Sequence, residues 1–189
     1  MKKKKPHTSS SCNFRLTGNT SIFIGLYIII GSFLVKDLVS KSIASSWLSF
    51  LQKDDIKYSV ATVILVVLFL SLLTLFIKAK ENVNELGFIL WNETSKKSVW
   101  QILVLFGFGL IVGNKLYKTG YIDMVLPMFL FGYGILVSLL NYTKYRSLYR
   151  FSMICSALGI LAFFLPNYWF VFLMLLGANH IVHGIVYRD

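Results

Sequence analysis

Residues 58–77 read YSVATVILVVLFLSLLTLFI, a run of 20 residues without Lys, Arg, Asp or Glu. A helix of about 20 apolar residues crosses the hydrocarbon core of a bilayer, which is roughly 30 Å thick. The strands of a membrane barrel alternate polar and apolar residues over about ten positions. Residues 63–70 are continuously apolar instead. The run therefore predicts a transmembrane helix.

The whole chain has the same character. Of its 189 residues, 56% are hydrophobic and only 14% are charged, whereas an average soluble domain has about 25% charged residues. Large exposed apolar surfaces drive association, so the composition excludes intrinsic disorder and an ordinary water-soluble domain. Four further stretches lack charged residues, namely 16–35, 98–114, 124–143 and 151–187.

The last of these stretches, with 37 residues, is too long for one crossing. Pro166-Asn167 lies near its middle, and both residue types favour a turn. The predicted fold class is an all-α integral membrane protein with six transmembrane helices arranged as three antiparallel hairpins. A basic tail, residues 1–19, precedes a transmembrane domain, residues 20–187. The predicted spans are 20–38, 58–79, 98–115, 121–142, 147–165 and 168–187.

The distribution of Lys and Arg predicts the orientation. With six spans, both termini lie on one side, and placing them in the cytoplasm puts 13 of the 19 Lys and Arg residues there. Cytoplasmic loops carry the excess of positive charge in membrane proteins, so we expect N-in/C-in. Anionic lipid headgroups are the expected partners of the tail, through Lys2, Lys3, Lys4 and Lys5. We expect no nucleic-acid partner, because no soluble domain presents a basic face.

The N-terminus has a second interpretation. Lys2–Lys5 followed by an apolar run also fits a signal peptide, with Ser42-Ile43-Ala44 as the cleavage site. Against cleavage, the apolar run exceeds the usual length of about 7–15 residues, and the charged residues Lys36, Asp37 and Lys41 precede the site. An uncleaved first helix is the favoured interpretation of residues 1–44.

The predicted spans contain little ionisable chemistry. No Asp, Glu, Lys or Arg lies in the central part of any span, which disfavours a carboxylate-based proton-coupled transporter. The exception is a polar cluster in the last span, Asn179, His180 and His183. His183 follows His180 by three residues and Asn179 by four, so it lies beside each of them on the helix surface. The cluster could bind a metal, a proton or a lipid headgroup, or it could make hydrogen bonds between helices.

The hydrogen-bonding role is the favoured one. A metal site needs three or four donors, but the only other histidine is His7 in the tail, and Cys155 is the one plausible soft donor nearby. We therefore predict no metal and no cofactor. The expected hydroxyl partners of the histidines are Ser138, Ser152 and Ser156.

Small residues predict where helices pack closely. Gly109-x-x-x-Gly113 permits close approach of two backbones, either within the chain or between two copies of it. The predicted packing glycines are Gly109, Gly113, Gly134, Gly159, Gly177 and Gly184.

The C-terminal half resembles a known family. Gly159-Ile160-Leu161, Pro166, Gly177 and Gly184-Ile185 are similar to the repeated hairpin of HdeD-like small membrane proteins. The third and fourth spans match less well, because the turn between them is longer and lacks the proline. The resemblance implies a six-helix protein of the bacterial inner membrane linked to acid or envelope stress, and it supplies no catalytic residues.

Two functions from different classes follow. The leading hypothesis is a non-enzymatic accessory, regulatory or envelope-stress component that contacts lipid, a second copy or another membrane protein. The alternative is a small oligomeric channel or transporter with a polar route at Asn179, His180 and His183. A membrane enzyme is a distant third, since the chain has no phosphate loop and no Gly-x-Ser-x-Gly or His-Glu-x-x-His motif.

Overall fold

A computed structural model describes residues 16, 18–44, 53–86, 93–121, 124–140 and 146–187. Within these ranges the chain forms six α-helices, one short 3-10 helix and no strand, which confirms the all-α prediction. Lys2–Lys5 lie outside the described residues, so the headgroup contact of the tail stays a prediction. The helices are α1 (Gly18–Ala44), α2 (Lys53–Leu86), α3 (Glu93–Lys118), α4 (Val125–Leu140), α5 (Arg146–Phe164) and α6 (Trp169–Val186).

Four segments are long and apolar enough to cross a membrane. They contain 20 to 23 residues each, and a rise of 1.5 Å per residue gives them about 30 Å or more of length. They coincide with the first, second, third and sixth predicted spans. The four segments are Gly18–Ser40, Thr62–Glu81, Ser95–Leu116 and Pro166–Val186.

The helix α4 is shorter than the span predicted for it, whereas α5, with 19 residues, has the predicted length. α4 contains 16 residues, which extend over about 24 Å, and it begins at Val125 rather than at residue 121. The backbone explains the later start, because Gly120 adopts a left-handed φ of 83° and the Met124 N–H donates to the Tyr121 carbonyl at 3.1 Å. These turns separate α3 from α4.

The chain leaves the helical conformation where Pro166-Asn167 predicted a break. α5 ends at Phe164, and Leu165 has φ −129° and ψ 61°. Pro166 then opens a 3-10 turn, Pro166–Tyr168. Proline suits the first position of such a turn, because its missing N–H would have no helical partner there.

The chain divides into two compact units, which we describe separately. The first contains residues 17–74 and 170–189, and the second contains residues 1–16 and 75–169. In the first unit, α1 contacts α2 where Gly31 lies against Val67. In the second unit, α4 packs along α5 and α3 packs along α4. Its core is formed by Leu130, Val137, Leu148, Phe151, Cys155, Leu158 and Ala162.

Candidate functional site

Two helices of the first unit carry the same pattern of small and polar residues. α1 contains Gly18-x-x-Ser21-x-x-x-Gly25, and α6 contains Gly177-x-x-His180-x-x-x-Gly184. Seven residues make nearly two helical turns, so the three residues of each pattern share one face. We call the contact between these two faces the α1–α6 interface.

Glycine allows the two backbones of the α1–α6 interface to approach closely. A Cβ atom on Gly177 would lie 2.8 Å from the Gly25 carbonyl oxygen, and one on Gly184 would lie 2.5 Å from the Gly18 carbonyl oxygen. Neither contact is possible for a real side chain without a shift of backbone. At the end of the interface, the Gly18 N–H donates to the Tyr187 carbonyl at 3.0 Å.

A polar pair lies at the centre of the α1–α6 interface. Ser21 and His180 are both fully buried. The Ser21 hydroxyl donates to the His180 carbonyl at 2.8 Å, and the same Oγ lies 3.3 Å from His180 Nδ1. Buried polar groups need hydrogen-bond partners, and these two residues supply them to each other.

The other two residues of the predicted cluster lie on the same helix. His183 is buried, and its ring centroid lies 4.9 Å from that of Tyr187. Asn179 is half-buried. Among the residues that the structure describes, no group of three or more His, Cys, Asp or Glu side chains could hold a metal ion.

The structure gives His180 a serine partner that was not among those predicted. Ser21 of α1 makes this contact, whereas Ser152 donates its hydroxyl to the Gly134 carbonyl at 2.7 Å. Ser21 and His180 are separated by 159 positions, so no local pattern links them. The matching spacing of Gly18, Ser21 and Gly25 on α1 and of the glycines around His180 is the signal that could have found the pair.

The Ser21–His180 pair is not arranged for nucleophilic catalysis. A serine hydroxyl has a single hydrogen, and in Ser21 it points to the His180 carbonyl. A general base must receive that proton to activate the oxygen, and here the His180 carbonyl accepts it instead of the imidazole. The arrangement holds two helices together.

A second close contact between helices lies in the second unit. A Cβ atom on Gly159 of α5 would lie 2.7 Å from the Phe131 nitrogen of α4, and one on Gly134 would clash with Ser156. The bond from the Ser152 hydroxyl to the Gly134 carbonyl lies beside them. We call this contact the α4–α5 interface.

The two predicted packing glycines of α3 differ from the other four. Gly109 and Gly113 have no atom of the described residues within 4 Å of an added Cβ, and none of residues 99–116 is buried. The prediction that this pair packs on another helix of the same chain is therefore not met in the described part of the structure. Small residues permit close approach, but they do not supply a partner.

The fold and this site define a class: an all-helical protein with several helices able to cross a membrane and with two glycine-lined helix contacts. No protein-family model matches the chain, and neither a curated protein nor a solved structure matches it. The resemblance to HdeD-like proteins therefore stays a prediction.

Proposed function

We propose that the chain is a non-enzymatic protein of the bacterial inner membrane, with six spans in the N-in/C-in orientation. It acts as an accessory, regulatory or envelope-stress component through contacts with lipid or with other membrane proteins. One contrast carries the proposal: the polar residues of the α1–α6 interface are closed inside the fold, whereas residues 99–116 of α3 present apolar side chains outward.

Contacts along the α1–α6 interface support an even number of spans. The start of α1 meets the end of α6 through Gly18 and Tyr187. Farther along α1, the ring of Phe33 lies 5.2 Å from that of Phe170, at the start of α6. Two helices with such contacts run in opposite directions, which supports the placement of both termini on one side of the membrane.

The placement of α4 and α5 relative to the bilayer is what differs between six spans and four. Gly134 contacts Ser156, and Phe131, earlier in α4, contacts Gly159, later in α5. This order supports an antiparallel hairpin. If the hairpin crosses the bilayer, the segment between α4 and α5 lies in the cytoplasm. If it stays at the outer surface, that segment lies outside.

Reporter fusions test the six-span topology. We expect cytoplasmic signals for fusions after Lys80 and Lys144 and an external signal after Lys118. The fusion after Lys80 is a control, because six-span and four-span arrangements agree on it. An external signal after Lys144 would establish four spans and overturn the six-span proposal.

Burial of the histidine supports the accessory role over the channel. A water-filled route along Asn179, His180 and His183 requires accessible polar groups, but His180 is fully buried against Ser21. Flux assays in liposomes test this choice. We expect no ion or solute flux above empty liposomes, and the same result for the His180→Ala/His183→Ala variant. A selective flux that the double substitution abolishes would overturn the accessory role.

A further inference from the structure

We propose that Ser21 and His180 form a reciprocal hydrogen-bonded pair that selects the register of α1 against α6, with Nδ1 of His180 as the donor. The assignment follows from the hydrogens available. The single hydroxyl hydrogen of Ser21 lies in the 2.8 Å bond to the His180 carbonyl. The 3.3 Å contact between Oγ and Nδ1 therefore needs its hydrogen from Nδ1.

The glycines alone leave the register ambiguous. Gly18 and Gly25 are seven residues apart, as are Gly177 and Gly184. A shift of α6 by seven residues in either direction still places one glycine opposite another. It also places Ser21 opposite Leu173 or Tyr187 instead of His180, which leaves buried polar groups without these bonds. A single polar position that specifies register is well known in paired helices.

Cysteine cross-linking reads the register directly. Leu26, Phe33 and Ser40 are seven residues apart on α1, and Phe33 lies against Phe170 of α6. Each of the three is changed to Cys together with Phe170→Cys, in a background with Cys12→Ser and Cys155→Ala. The positions differ by about 10 Å along the helix, and a disulfide spans only about 7 Å between Cα atoms. Oxidised peptides are quantified by mass spectrometry.

The expected result is a cross-link from position 170 to position 33 but not to positions 26 or 40. Ser21→Ala should lower the ratio of this cross-link to those at positions 26 and 40 by roughly threefold for each lost bond, the factor typical of hydrogen bonds between membrane helices. The cross-link to position 26 or 40 should then appear. An unchanged cross-link pattern in Ser21→Ala would mean that the glycines suffice, and it would overturn the proposal.

Two amide substitutions separate the hydrogen bond from packing. The Asn side-chain nitrogen is the same number of bonds from Cα as Nδ1 of His, whereas the Gln nitrogen is one bond farther away. We expect His180→Asn to keep the wild-type cross-link pattern and His180→Gln to change it as Ser21→Ala does. Equal patterns in the two variants would contradict the Nδ1 assignment.

Nitrogen NMR of the unmodified fold gives an independent test. The sample carries 15N-labelled histidine in the full-length chain in lipid, and His7→Gln and His183→Gln variants assign the His180 signal. We expect a hydrogen on Nδ1 of His180. A ring with its only hydrogen on Nε2 would overturn the proposal, whatever the cross-linking yields.

Discussion

The α1–α6 and α4–α5 interfaces both bring two helices into close contact at glycine residues, but they contain different polar side chains. In both, glycine brings two backbones together, and a buried serine hydroxyl donates to a carbonyl of the facing helix. The Ser152 bond joins residues 18 positions apart and uses no second side chain. The Ser21 bond joins residues 159 positions apart and adds an imidazole. The contact between distant segments thus has the additional side-chain partner.

The largest expected effect comes from filling the glycine contacts. Gly177→Leu and Gly159→Leu should each lower the free energy of unfolding by about 3 kcal/mol or more, the upper end of the cost of overpacking, because the added side chain meets backbone atoms. A Cβ would already lie 2.8 Å from the Gly25 carbonyl oxygen in the first case and 2.7 Å from the Phe131 nitrogen in the second. The free energy of unfolding of both variants is measured in mixed detergent micelles.

Gly132→Leu is a suitable control for these variants. It lies in α4, but an added Cβ would meet nothing within 4 Å among the described residues. If Gly132→Leu destabilised the protein as much as Gly159→Leu, lipid-exposed bulk rather than the helix contact would be responsible. A large loss of stability at only one interface would show that glycine is required for close packing there but not at the other interface.

The sequence predicted the helices better than their ends. Charge-free runs marked the apolar parts of α1, α2, α3 and α6, because hydrocarbon excludes charge. α2 continues from Lys53 to Leu86, well beyond its apolar run, and hydropathy cannot locate helix ends that lie among polar residues. The late start of α4 depends on the conformation of Gly120, which a single glycine in the sequence does not specify.

The candidate site was only half predictable. The spacing of His180 and His183 placed both on one face of a helix, and both are buried. The sequence could not identify the partner of His180, because serines are common in these helices and only tertiary packing brings Ser21 to it. The glycine pattern had a comparable limit, since it cannot distinguish a glycine that meets a helix from one that does not.

Replacing the buried serine of each interface should lower the free energy of unfolding by a smaller amount, and the loss should differ between the two interfaces. Ser21→Ala leaves the buried imidazole N–H without its acceptor, and an orphaned buried group costs about 1–3 kcal/mol. Ser152→Ala removes a bond to the Gly134 carbonyl, which retains its place in the hydrogen-bond pattern of α4, so we expect about 0.5–1.5 kcal/mol. The same unfolding measurement compares them.

A double-mutant cycle tests the cause of this difference. Ser21→Ala and His180→Ala should be non-additive, since each removes the partner of the other. Additive losses would show that the imidazole contributes through packing alone, and the chemical distinction between the two interfaces would disappear.

The smallest effect is expected where a glycine has no neighbour among the described residues. Gly109→Leu and Gly113→Leu on α3 add side chains where a Cβ meets nothing within 4 Å in the described part of the structure, and Leu favours a helix over Gly by roughly 0.8 kcal/mol. We expect unfolding free energies equal to or slightly above wild type, and an unchanged molecular mass by light scattering in detergent. A loss of mass in these variants would identify a second copy of the chain as the partner of this face. Gly109 and Gly113 would then belong to a third glycine-lined contact, between chains rather than within one.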